Sequence, residues 1–279
     1  MVTAAKAAKR LNQFFTKLPQ VAREPVSIAG GRQDSGRRDV DLAGYVALTR
    51  VSGLAKELQS VANNIANIST TGYRREGVVF AEMVQALSVE GGSVAMTEAR
   101  GRYTDELQGA LVETGGTLDL AVEGEGYLQV MTPQGPRLTR AGAFTRNAEG
   151  TIVNMDGRPL LDEGGGEVTI PFEAKAIAVS SDGTLSIDGQ PAAKLGLVTV
   201  EDRTKIFREA GVLFRAEAPT IPVENGRIVQ GFLEQSNVNP VAELARMIEV
   251  QRAYESGQKL MDQEDQRILK VITTLGRQG

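Results

Sequence analysis

The chain has 279 residues, enough for one large or two smaller domains around a sizeable core, and carries 31 Lys and Arg against 35 Asp and Glu, a formal net charge of -4. That acidic balance, with 5% aromatics and no Trp, excludes a nucleic-acid binder built on a basic face or on stacking platforms. His and Cys are both absent, which excludes thiol nucleophiles, Ser-His-Asp relays, imidazole or thiolate zinc sites and disulfides, and no cofactor is implied.

Residues 1–39 hold eight Lys and Arg against three acids, a local +5, so the remainder carries -9. The Gly- and Arg-rich "SIAGGRQDSGRRD" has no apolar period and reads as a disordered basic extension, or as a stretch from an upstream translation start. No apolar run approaches the ~20 residues that span a bilayer, and no signal-peptide pattern is visible. Any export is therefore expected without a cleaved signal.

From Ala47 the pattern sharpens. Ala47, Val51, Leu54, Leu58, Val61, Ile65 and Ile68 follow at alternating steps of four and three, a heptad seam that predicts a helix within 40–76. Gly72 suits the left-handed C-terminal cap, and Arg74 and Arg75 follow where positive charge favours the negative helix end. Asn63, Asn64 and Asn67 occupy the last turns of this helix. Asn64 lies at the edge of the seam, while Asn63 and Asn67 share the far side. Short amides there fit close contact with another helix, or the fraying end of a helix.

Residues 77–114 are less regular and read as an extended connector or arm. From 115 to 235 the character is β: short apolar alternations separated by the turn sequences "PQGP", "NAEG", "MDG" and "SDG" predict an antiparallel domain. Strands are expected at 151–154, 167–170, 176–180, 184–187 and 194–200. Residues 236–279 predict a second long helix, with Asn239 as N-cap, Pro240 at the first helical position and Glu243 in the first turn. Its stripe is Met247, Tyr254, Met261, Ile268 and Leu275, widened by Leu244, Ile248, Val250, Val271 and Ile272. Gln251, Gln258 and Asp265 fall where a tight zipper would carry Leu, and polar seam positions specify register at a cost in stability. The expected fold is α+β: long N- and C-terminal heptad helices packed together in coiled-coil fashion, with a mainly antiparallel β-domain inserted between them.

Catalysis would have to rest on paired carboxylates, with Glu123 and Glu125 or Asp182 and Asp188 as candidates for a hydrolase. Both pairs flank Gly in turn sequences, where acids serve local backbone hydrogen bonds. "LDEGGGEV" lacks the ending of a phosphate-binding loop and reads as a hairpin connection. The Met247, Tyr254, Met261 stripe is a packing seam before it is a cofactor box. Neither an enzyme nor a metal site is expected.

Three stretches carry a resemblance: "VANNIANISTTGYRRE", then "GGTLDLAVEGEGYLQV" leading to "RLTRAGAFTRNAEGTIVNMDGRPLL", then "GFLEQSNVNPVAELARMIEVQRAYESGQKL". In this order, and over most of 44–275, the chain resembles the bacterial flagellar rod and hook family. "GGEVTIP", "SSDGTLSIDG", "KLGLVTVED" before "AGVLFRAE", and Pro240 directly after "SNVN" make it more similar to the proximal-rod branch than to the distal-rod branch. The resemblance leaves residues 1–39 without a counterpart. It implies a structural subunit of the basal-body rod, exported unfolded by the flagellar type III apparatus and assembled in the periplasm. Terminal helices would pack with those of neighbouring copies and other rod proteins, and the β-domain would face outward. Asn63, Asn64 and Asn67 then become candidate contacts between subunits, together with the two helix seams. No nucleic acid and no membrane span are implied.

Overall fold

The computed structural model describes residues 35–86, 93–223 and 226–275. The chain divides into two units, 1–41 and 42–279. Of the first, only the opening of a helix is described. The basic extension expected at 1–39 lies outside the described residues apart from Ser35–Asp39.

Helix α1 runs Ser35–Ala66 and helix α2 runs Pro240–Leu275. Between them the chain is sheet-rich. Strands β1 (Glu76–Ala86) and β2 (Ser93–Thr104) form a long antiparallel hairpin with a bulge between Val79 and Phe80. This hairpin occupies most of the stretch read as a connector. The sequence hid it because its arms are long, while their interiors mix Glu, Gln and Arg with Ala and Val rather than alternating cleanly.

The neck follows: β3 (Leu111–Glu113) and β4 (Leu120–Glu123) on the way out, β16 (Arg227–Gln230) and β17 (Phe232–Glu234) on the way back. β3 pairs with β17 and β4 with β16, both antiparallel. Beyond the neck lie β5 (Leu128–Thr132), β6 (Gly135–Thr139), β7 (Phe144–Arg146) and β8 (Ile152–Asn154). Then come β9 (Ile177–Val179), β10 (Thr184–Ile187), β11 (Gln190–Lys194) and β12 (Val198–Val200). The last are β13 (Ile206–Ala210), β14 (Leu213–Ala216) and β15 (Thr220–Pro222).

These strands form a sheet ordered β13-β14-β6-β5, a sheet ordered β11-β10-β9, and the pairs β7-β8 and β12-β15. Every named pairing is antiparallel. Glu167–Ile170, expected as a strand, contributes only isolated bridges at Glu167 and Thr169. The core is built from Leu120, Val122, Leu128, Val130, Ile152, Leu160, Ile170 and Leu185, each almost fully buried. Each contributes about 1.5–3 kcal/mol of transfer free energy.

The coiled-coil part of the expected fold is corrected by the helix contacts. The helices run antiparallel where they meet: Glu57 pairs with Arg246 at 2.5 Å, Asn64 bonds Glu243, and a Cβ on Gly257 would come within 2.7 Å of Val51 Cγ2. Among the described residues of α1 the buried ones are Ala47, Val51, Gly53, Glu57, Ser60, Val61 and Asn64. Leu54, Leu58, Ile65 and Ile68 are only half-buried. A buried polar stripe, Glu57, Ser60 and Asn64, lies about a quarter-turn round the helix from the Leu and Ile seam.

On α2 the inward column is Glu243, Met247, Val250, Tyr254, Gly257 and Met261, all buried or half-buried. Leu244, Ile248, Val271 and Ile272 are 51–60% exposed, and Gln251, Gln258 and Asp265 are exposed as well. A coiled coil needs apolar knobs on both facing columns. Here buried carboxylates and amides must satisfy one another, since each left unpaired costs more than a half-exposed Leu. That requirement turns the polar stripe inward beside Ala47, Val51 and Val61 and leaves Leu54, Leu58 and Ile65 only half covered.

Candidate assembly site

Of the sequence-predicted residues, Asn63, Asn64, Asn67 and Gly72 lie where α1 ends and β1 begins and Asn239 and Pro240 where α2 starts, while the seam residues run along the two helices. α1 stops at Ala66, six residues before Gly72. Its last turns are closed by Asn67, whose Nδ2 donates to the Asn63 carbonyl at 2.8 Å and whose Oδ1 accepts from Thr70 Oγ1 at 3.1 Å. Asn63 Oδ1 accepts from Gln59 Nε2 at 3.0 Å.

Gly72 has another task. At φ +69° its N–H donates to the Glu234 carbonyl at 2.7 Å, and an added Cβ would lie 2.3 Å from Ala141 N. It is the point where the helix end presses on the β-domain backbone. Gly72→Ala is expected to cost at least about 2 kcal/mol, from left-handed strain plus the backbone clash, read as a lowered urea midpoint of the purified chain.

Asn64 is completely buried and spends its whole amide inside the protomer. Its Oδ1 accepts from Glu76 N at 2.8 Å and Tyr73 Oη at 3.2 Å. Its Nδ2 donates to the Glu76 carbonyl at 2.8 Å and Glu243 Oε2 at 3.2 Å. Burial pushes the Tyr73 hydroxyl up to about 12, so it remains a donor at neutral pH. Ser60 Oγ adds a bond to the same Glu76 carbonyl. Asn64 therefore ties α1, β1 and α2 together.

Asn239 caps α2, its Oδ1 accepting from Val241 N and Ala242 N at 3.0 and 3.1 Å, with Pro240 as the first helical residue. Glu243, in the first turn and 1% exposed, pairs with Arg75.

A second buried knot joins this junction to the β-domain. Glu234 receives Arg74 Nη2 on Oε1 at 3.0 Å and Arg140 Nη1 on Oε2 at 3.2 Å, with all three side chains at most 4% exposed. Beside it, the Arg208 guanidinium lies 4.5 Å from the Tyr73 ring centre and 4.7 Å from that of Phe214, and pairs with Glu76. Burial pushes both Arg140 and Arg208 down. Sequence reasoning missed Glu57, Arg140, Arg208 and Glu234, because their partners lie far along the chain and no local spacing marks them.

Of the carboxylates nominated for catalysis, Glu123 ends β4 opposite Arg227, and Glu125, Asp182 and Asp188 lie outside the strands. Glu125 pairs with Arg203. Asp182 Oδ1 accepts from Thr184 N, and Asp188 Oδ1 from Lys175 N and Ala176 N. In "LDEGGGEV", Asp162 accepts from Gly164 N and Gly166 N, a self-contained turn. Among the described residues no group of three or more Asp or Glu is placed to hold a metal ion, and no helix is long and apolar enough to cross a membrane.

After these internal contacts are made, both helices keep an apolar face. Leu244 and Ile248 on α2 are about half exposed and Ile272 is 60% exposed, with Leu54, Leu58 and Ile65 of α1, and Ile68 just after it, half covered. An amphipathic pair left open in this way is suited to packing against further helices.

Comparison with known proteins matches three family models along the chain. They are the flagella basal body rod protein model at 45–74, the flagellar hook protein FlgE/F/G D1 domain at 121–187, and the flagellar basal body rod FlgEFG protein C-terminal model at 229–274. The flagellar basal-body rod protein FlgF of Caulobacter vibrioides is 38% identical over 85% of this chain and 99% of its own length. FlgF of Mesorhizobium japonicum is 34% identical over 83% and 97%. The flagellar basal-body rod protein FlgG of Bacillus subtilis is 31% identical over 84% and 98%.

Proposed function

Because this chain belongs to the flagellar basal-body rod proteins, with the FlgF proteins ahead of FlgG in similarity, we propose that its paired helices are the part that polymerises and its β-domain the part carried outside them. The chain is a structural subunit of the proximal rod in the bacterial flagellar basal body, associates with other rod subunits, and is not an enzyme.

The observation that carries the proposal is the apolar face left open on both helices. Leu54, Leu58 and Ile65 on α1 and Ile68 just after it, with Leu244, Ile248, Ile268 and Ile272 on α2, offer a surface that a single protomer cannot cover with two helices. Asn63 and Asn67, half exposed on the far side of the seam, bring short amides within reach of a neighbour there. Val51, Val61 and Asn64 act inside the protomer and set the helix orientation that presents this face. Self-association proceeds through head-to-tail contacts that do not close, giving a helical stack. Delivery is by the flagellar type III export apparatus into the periplasm. The charged knots at the junction form once the chain has crossed, and thread no covalent link.

Hook-basal bodies purified from the source organism, digested with trypsin and read by mass spectrometry, test this. The peptide "MIEVQR", Met247 to Arg252, is expected to be enriched in that fraction over whole-cell lysate. Its absence from well-covered basal bodies would remove the chain from the rod.

A further inference from the structure

Glu76, the first residue of β1, serves two parts of the molecule at once. Its backbone N–H and carbonyl each bond the Asn64 amide at 2.8 Å and so belong to the helix junction. Its carboxylate, 6% exposed, meets the Arg208 guanidinium of β13 at 2.6 Å. The one other cation paired with it among the described residues, Arg102, stands off at 3.9 Å and is about half exposed. Arg208 is therefore the close counter-charge of a buried acid.

Tyr73 is shared in the same way. Its hydroxyl donates to Asn64 Oδ1 at 3.2 Å, while its ring lies 4.5 Å from the Arg208 guanidinium. Arg208 Nη2 also donates to the Arg74 carbonyl. Three of the four hydrogen bonds of Asn64 run to Tyr73 and Glu76, and the fourth reaches Glu243 on α2. Seating α1 against α2 through Asn64 thus requires the Glu76 carboxylate to be buried with its backbone. A buried carboxylate without a counter-charge is costly. The helix pair, with its apolar seam only half covered, has little to set against that cost.

We propose that Arg208 is a checkpoint on helix pairing: α1 and α2 close on each other only after the β-domain has folded and brought Arg208 onto Glu76 and Tyr73. β13 is the outer strand of the sheet ordered β13-β14-β6-β5, so Arg208 reaches its place only when that sheet has formed. Phe214, on the neighbouring strand β14, lies 4.7 Å from the same guanidinium and fixes where it points. The inference rests on the reading of the paired helices as the polymerising part, and gives that reading an order. A chain with an unfinished β-domain keeps its helices apart and does not present the face that a neighbour would cover.

Amide hydrogen exchange of the full monomeric chain, resolved by residue, tests this. Arg208→Gln is expected to lower the protection of Val61 on α1 and Val250 on α2 about tenfold or more, while Leu128 and Val130 in the β-domain core stay within about twofold of the parent. Adding Glu76→Gln to Arg208→Gln removes the stranded charge and is expected to restore most of the lost helix protection. Lost packing of Arg208 against Tyr73 and Phe214 would not be repaired by that second change. Helix protection that Arg208→Gln leaves unchanged, a loss that Glu76→Gln does not relieve, or an equal loss in the β-domain core overturns the proposal. Exchange in the free monomer does not depend on where the chain assembles, so this result and the basal-body result stand or fall separately.

Discussion

Glu234→Gln is expected to cost roughly 3–5 kcal/mol, most of the stability of an ordinary domain, although the two side chains have nearly the same shape. Glu234 is 1% exposed and is the only carboxylate in contact with both Arg74 and Arg140 among the described residues. Its Oε1 also accepts from Gly109 N at 3.2 Å. An amide keeps the volume but sets an NH₂ against guanidinium donors and leaves two cations buried together. Urea denaturation of the purified chain, followed by circular dichroism, reads the loss as a lowered midpoint. Glu217→Gln is the control, because Glu217 pairs with Arg215 at a half-exposed surface position and its loss should stay within about 1 kcal/mol. Equal shifts in the two variants would show that the buried knot contributes no more than a surface pair.

Ile248→Asp is expected to abolish swimming while leaving the monomer within about 0.5 kcal/mol of its parent. Ile248 is 52% exposed on the open face of α2, so a carboxylate there is solvated in the free chain and desolvated only when a neighbouring helix covers it. Two residues on, Val250 is 2% exposed. Val250→Asp buries an unpaired charge and is expected to destabilise the monomer itself by more than about 3 kcal/mol. Soft-agar motility and thermal melts of both variants separate an assembly defect from a folding defect. Normal swimming with Ile248→Asp would show that this face is not an interface.

What could be read from the sequence follows the range of the interactions. The helices announced themselves through periodicity, Asn239 and Pro240 through local cap chemistry, and Thr184–Ile187 through the turn before it, because each depends on residues within a few positions. Heptad spacing, however, shows only that an apolar stripe exists. It does not show whether that stripe is the face spent inside the protomer. The inward rotation of α1 is set by Asn64 meeting Tyr73, Glu76 and Glu243, and by Glu57 meeting Arg246. Those partners lie up to 189 residues away, beyond the reach of any local pattern. Gly72 was legible as a residue needing positive φ. Its use against the Arg140–Ala141 backbone rather than as the cap of α1 depended on tertiary contact. The Arg74–Glu234–Arg140 knot left no local trace.

The neck carries a further consequence. Chain leaving the helices through β3 and β4 returns through β17 and β16, its direct antiparallel partners. Everything between residues 123 and 227 therefore hangs from one closed doorway. Helices on the near side meet the module at the doorway and through Arg140, Ala141 and Arg208, so strands away from those three residues can be enlarged, trimmed or exchanged without disturbing how the helices pack. On the proposed assembly, changes confined to those strands reshape the outer surface of the rod and leave its helix packing as it is.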